Sequence, residues 1–254
     1  MKFTHKVSKG SRFNQIYIPQ EFKEYFEVGD IIEVKLLKKN NELHFSRKIQ
    51  LSDFKKKIIK EIFNCLNEFK EIKQVFVFGS FLTKKVDYND IDIMIISDKL
   101  NENKAYDLIS EKVNMKIHII TMPEAKLEEL KKICPLTRSM FYYSISNRQF
   151  LLEEKSEIDK KHLEFLLMMP EDILKINVDG KTLYNNIRRL ITIENFIKNK
   201  SEDPLKVNAE IENIINKNIQ SKINDNEQLS DEEIKKLKSI IKNKLNKIRV
   251  VAGL

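Results

Sequence analysis

Between residues 58 and 121 the apolar positions change period. Ile58, Ile59, Ile62, Phe63, Leu66 and Phe69 recur every three to four residues, which predicts a helix with one buried face and places Cys65 in that core. The apolar run ending in Gly79-Ser80 and the run IDIMIIS at 91–97 have the length and β-branched content of buried strands. MKIHIIT at 115–121 predicts a third. Beyond residue 122 the helical period takes over. Pro123-Glu124-Ala125 opens a helix through Lys132, and 156–168, 180–198, 204–222 and 231–249 read as amphipathic helices. The last begins with Ser230 three residues before Glu233, the pattern of a capping box, and 223–229 reads as a polar linker.

The first fifty residues follow a different rhythm. FTHKVS at 3–8 predicts a short strand, Lys9-Gly10-Ser11 a turn, and Gln15 to Pro19 a strand stopped by proline. A short helix from Gln20 to Tyr25, a turn at Val28-Gly29-Asp30 and a strand from Ile31 to Leu37 follow. A turn at Lys39-Asn40-Asn41 then leads to a last strand from Leu43 to Arg47.

The chemistry concentrates in residues 75–97. Side chains alternate along a strand, so Asp90 and Asp92 project to one side while Ile91 and Ile93 face a core. Two carboxylates so placed repel each other unless a cation stands between them or one takes up a proton, which suits a divalent, oxygen-liking ion such as Mg²⁺. Gly79 removes the Cβ where a polyphosphate needs close backbone approach, and Ser80 offers a hydroxyl and a main-chain N–H. The pattern is similar to the core of the nucleotidyltransferase superfamily, the DNA polymerase beta-like fold in its minimal form, over roughly residues 55 to 122.

That resemblance implies that Gly79 and Ser80 hold the phosphates of an NTP. It also implies that Asp90 and Asp92 bind Mg²⁺ (or Mn²⁺) and act catalytically in attack on the α-phosphate. A third carboxylate normally stands on the neighbouring strand. Here Lys116 takes the place where it is expected, with His118 next on the same face, so both are candidates for the acceptor side.

The motifs Lys6-Val7-Ser8-Lys9-Gly10, Ile16-Tyr17-Ile18-Pro19 and Gly29-Asp30 resemble the AbrB-like swapped-hairpin domain over roughly residues 1 to 48. Members interleave hairpins from two chains and bind double-stranded DNA, which implies a homodimer and makes Lys6, Lys9 and Arg12 the DNA-binding candidates. Residues 1 to 50 carry ten Lys or Arg against six Asp or Glu, and thus supply four of the formal net charge of +8. A β module of that size also buries little surface alone, which favours pairing.

The expected architecture is α+β and multidomain: a β-rich swapped-hairpin module at 1–50, a mixed α/β nucleotidyltransferase core at 51–150, and a helical C-terminal domain at 151–254. With 41% hydrophobic and 33% charged residues the chain can fill such cores, and no apolar run reaches the length of a membrane span, so a cytoplasmic protein without a membrane partner is expected. Cys65 and Cys134 have no partner in metal spacing. Arg138 and Arg148 are read as phosphate contacts or surface ion pairs, and Arg188 with Arg189 as a solvated face or a phosphate contact. Two functions fit. One is metal-dependent transfer of a nucleoside monophosphate from an NTP to an acceptor hydroxyl. The other is a DNA-binding regulator or toxin–antitoxin-type component whose transferase fold is inactive or senses a nucleotide.

Overall fold

A computed structural model of the chain describes residues 3–35, 42–83, 88, 90–151 and 157–254. The chain divides into two compact units, Met1–Lys39 and Asn40–Leu254.

In the first unit, β1 (Ser8–Lys9) pairs antiparallel with β2 (Asn14–Gln15), and the Gly10 N–H closes the turn on the Phe13 carbonyl at 3.0 Å. A 3-10 turn follows at Gln20–Tyr25, after Pro19. The expected strands at 3–8 and 15–19 shrink to two residues each, and residues 31–35 form no strand. Residues 36–37 of that strand and the turn at 39–41 lie outside the described residues. The physical reason is a missing second layer: a lone two-stranded hairpin has nothing to bury its apolar face against. Phe13, Tyr17, Val28 and Ile31 all remain exposed.

The second unit begins with β3 (His44–Phe45) and α1 (Asp53–Leu66), whose first turn is capped by the Ser52 hydroxyl accepting from the Lys55 N–H. β4 (Ile72–Phe78), β5 (Ile91–Ser97), α2 (Glu102–Val113) and β6 (Ile117–Met122) follow. After them come α3 (Glu124–Ile133), α4 (Pro135–Phe141) and β7 (Ile145–Ser146). Among the described residues these strands form one sheet in the order β3-β7-β4-β5-β6, antiparallel except for the β5–β6 pair. One face, with Val75, Val77, Ile91, Ile93 and Ile95, packs on Ile59, Ile62 and Phe63 of α1 and on Ala105 and Ile109 of α2. The other carries Phe76, Phe78 and Met94 against Leu127 and Phe141.

β3 corrects the reading of the first fifty residues. The strand expected at 43–47 does not join the N-terminal module. His44 pairs with Ser146 and Phe45 with Ile145, and the Ser46 N–H bonds the Ser144 carbonyl at 3.1 Å. The open hydrogen-bonding edge of β7 takes whichever extended segment reaches it, and that segment is 44–46.

The helices α5 (Lys160–Ile173), α6 (Gly180–Ile197), α7 (Pro204–Ile214), α8 (Lys217–Asn224) and α9 (Asp231–Ala252) enclose a second core around Leu183, Ile187, Leu190 and Ile191 of α6. The single helix expected over 204–222 is broken, because Ile215 is extended and the Asn216 side chain caps a new start at the Asn218 N–H. The expected linker is also partly structural. Leu229 is buried and lies so near Gly180 that a Cβ there would stand 2.6 Å from its Cδ1.

Sheet and helices are stitched together by charge. The Arg138 Nε donates to Glu202 Oε1 at 3.1 Å with both side chains about 95% buried, and Arg47 reaches Asp203 at 2.6 Å. Arg138 is therefore a buried structural pair rather than a surface one, also bonded to the Lys131 carbonyl at 3.0 Å.

Candidate active site

The site is built where β4 ends and β5 begins. Phe78 pairs with Asp92 in the ladder, and the chain then turns at Gly79, whose φ of 86° lies in a region that L side chains rarely adopt. Space reinforces conformation. A Cβ on Gly79 would stand 2.1 Å from Asp92 Oδ2, so only glycine lets this turn lie directly against the carboxylate. The turn continues into a 3-10 segment, Ser80–Leu82, in which Phe81 and Leu82 are fully buried anchors while Gly79 and Ser80 stay exposed.

Lys55 holds the far end of the turn. Its Nζ donates to the Thr83 carbonyl at 2.9 Å and lies over the rings of Phe81 and Tyr88, 5.3 and 4.7 Å from their centroids. Burial lowers the pKa of this ammonium. Nothing in the motif points to Lys55, yet a signal is present in the sequence: positions 55, 59, 62 and 66 form one stripe of α1, and a lysine on a buried stripe needs polar partners.

Asp92 is half-buried, at 27% side-chain exposure, and Asp90 stands two residues ahead of it at the edge of the strand. Burial raises the Asp92 pKa, against a lowering hydrogen bond from His118, and the nearby Asp90 charge raises it further. His118 is the register partner of Asp92 on β6, with Nδ1 3.2 Å from Asp92 Oδ1. Lys116 lies one step ahead of β6; its carbonyl accepts from the Ile91 N–H at 3.0 Å and its side chain is exposed. Gly79, Ser80, Asp92 and His118 are thus gathered at one end of the sheet, with Asp90 and Lys116 beside them. Among the described residues no ion pair joins Lys116 to an aspartate, and no three His, Cys, Asp or Glu side chains cluster as a ready metal cage.

Of the aromatic-rich segment 138–152, residues 138–151 are described, and its Phe141 and Phe150 lie on the same face. Phe141 and Phe150 pack edge-on against Phe76, which alternation puts on the side of Phe78 and Asp92. With Phe45, Arg47, Gln149 and Asp203 these two rings line a cleft of about 900 Å³ at the β3 edge, roughly 14 Å across three strand spacings from β5. The N-terminal candidates Lys6, Lys9 and Arg12 are all exposed on or beside the β1–β2 hairpin.

Residues 59–142 match the family model described as Polymerase beta, Nucleotidyltransferase. This third of the chain carries a nucleotidyltransferase-type core. The matched span holds β4 to β6, the Gly79-Ser80 turn, both aspartates and His118, and it does not reach the first 48 residues. No curated protein and no solved structure matches the chain. Among the described residues no helix is long and apolar enough to cross a membrane.

Proposed function

We propose that the chain transfers a nucleoside monophosphate from an NTP to an acceptor hydroxyl, releasing pyrophosphate, with Mg²⁺ or Mn²⁺ held by Asp90 and Asp92. The observation that carries this reading is the seating of Gly79 against Asp92, which sets a phosphate-sized turn and a carboxylate in contact. The donor set fits one hard cation: a half-buried carboxylate with a raised pKa, a second carboxylate two residues away, and an imidazole on the first. When bound, the metal supplies charge neutralisation of the polyphosphate and polarisation of the α-phosphate.

The other roles belong to the chain itself. Gly79 and Ser80 offer backbone N–H groups and a hydroxyl to the phosphates. His118 orients Asp92 and is exposed enough to take the proton of an acceptor hydroxyl. Lys116, exposed at the start of the same strand, provides positive charge on the acceptor side. The cleft beside Phe150 and Arg47 supports a place for the acceptor or the nucleobase on the same sheet face. The test is label transfer from each α-labelled NTP with Mg²⁺ or Mn²⁺ and a cell extract as acceptor pool. Labelled product should form with the unmutated chain and vanish with Asp90→Asn/Asp92→Asn; equal labelling by both proteins rules the mechanism out.

Lys116 also favours a second reading. A lysine, exposed just ahead of β6, stands where the resemblance calls for a third carboxylate, which suits a fold that binds a nucleotide without turning it over. The chain would then act as a homodimeric DNA-binding regulator or toxin–antitoxin-type component, contacting duplex DNA through Lys6, Lys9 and Arg12. NTP binding without label transfer to any acceptor, together with salt-sensitive duplex binding, selects this reading over the first.

A further inference from the structure

Helix α5 has two apolar faces. Leu163, Leu166, Leu167 and Ile173 are buried in the helical core, whereas Phe165, Met168 and Met169 sit together on the opposite side with half or more of their surface exposed. Along the edge of this stripe lies Arg189 of α6, whose Nη1 donates to Met169 Sδ at 3.4 Å. Its Nε is buried without a hydrogen-bond partner, and no carboxylate pairs with it among the described residues. The His162 Nε2, at the other end of the stripe and with its ring 6.4 Å from that of Phe165, is likewise buried and unbonded.

A half-buried guanidinium without a counter-ion is destabilising, and the loss is recovered when an anion reaches it. Its surroundings select the anion. The Met169 sulfur is the acceptor beside the guanidinium, and one Arg satisfies a carboxylate through two parallel hydrogen bonds whereas a phosphate dianion calls for several donors. The stripe selects the shape. Anchors at i, i+3 and i+4 match the spacing by which helices read each other, and methionine re-packs readily around a helical partner.

We propose that α5 docks an acidic amphipathic helix of a partner protein, which covers Phe165, Met168 and Met169 and brings an Asp or Glu carboxylate to Arg189. The buried, unbonded Nε2 of His162 would receive a polar side chain at the other end.

The full chain, immobilised, is screened against a displayed library of helical peptides with two fixed leucines four residues apart and randomised flanks. Selected peptides should carry Asp or Glu within one turn of the leucines. The best should lose about tenfold in affinity, the usual effect of removing a charged hydrogen bond, on Arg189→Gln and again on Met168→Asp. Met168 is exposed, so its variant folds whatever the fate of Arg189. Binders without an acidic preference, or affinity unchanged in both variants, would refute the proposal. So would orthophosphate binding that Arg189→Gln removes, or self-association that Met168→Asp removes, since these assign the surface to a free anion or a second copy.

Discussion

Gly79 and Asp92 are in conflict with any side chain placed between them, and that conflict makes predictions. Gly79→Ala adds a Cβ 2.1 Å from a carboxylate oxygen at a φ of 86°. The turn must shift, with an expected loss of about 1–3 kcal/mol in urea unfolding. On the proposed mechanism, displacing the phosphates by an ångström should lower label transfer by about 100-fold. Asp92 behaves in the opposite sense. Its folded pKa is raised, so the ionised group costs stability at neutral pH, and stability recovers as pH falls through the folded pKa toward the unfolded one. Asp92→Asn should therefore raise the urea midpoint at pH 7 while abolishing label transfer, a pairing that a purely structural aspartate would not give. The strand–turn–strand setting of both residues was legible in the sequence, because Gly-Ser and Asp-x-Asp, each common alone, stand here together between two apolar runs. Lys55 and Arg138 were not, because what makes each important is a tertiary partner, Thr83 with two rings in one case and Glu202 in the other.

At the scale of elements, period was a sound guide wherever an element packs on one face. The strands at 91–97 and 117–122, helix α3 and the capping box of α9 lie within a few residues of their expected places. It failed where backbone hydrogen bonding decides: the break between α7 and α8 depends on a capping asparagine, and β3 depends on an edge that its own sequence cannot announce. Between α6 and α9, Glu194 is 6% exposed and receives Lys198, Lys244 and Lys247. Burial pushes its pKa up, but those three hydrogen bonds outweigh it and hold the carboxyl at about 2. The sign follows: stability from this cluster is present above the ordinary carboxylate pKa and lost as pH falls from there toward 2. Glu194→Gln should cost about 3 kcal/mol at pH 7 by stranding Lys244, and should flatten the loss of stability between pH 5 and 2 in acid-unfolding curves.

For the whole molecule, the sequence announced two kinds of structure, and the boundary between them is where it was least informative. The sequence pattern shows a strand-like segment on each side of residue 40, whereas the packing that divides Met1–Lys39 from Asn40–Leu254 arises in space. If the first unit is the DNA-contacting part, Lys6→Ala/Lys9→Ala/Arg12→Ala should reduce the slope of log affinity against log salt by about 0.9 for each phosphate no longer neutralised, with label transfer unchanged. β3 sets a rule for dissecting the chain. A fragment starting at residue 51 would lack the strand that seals β7 and leave Asp203 without Arg47, so it should present an adhesive sheet margin and precipitate. One starting at residue 40 should stay dispersed in light scattering. The smallest piece that folds by itself should therefore begin inside the span first read as its neighbour.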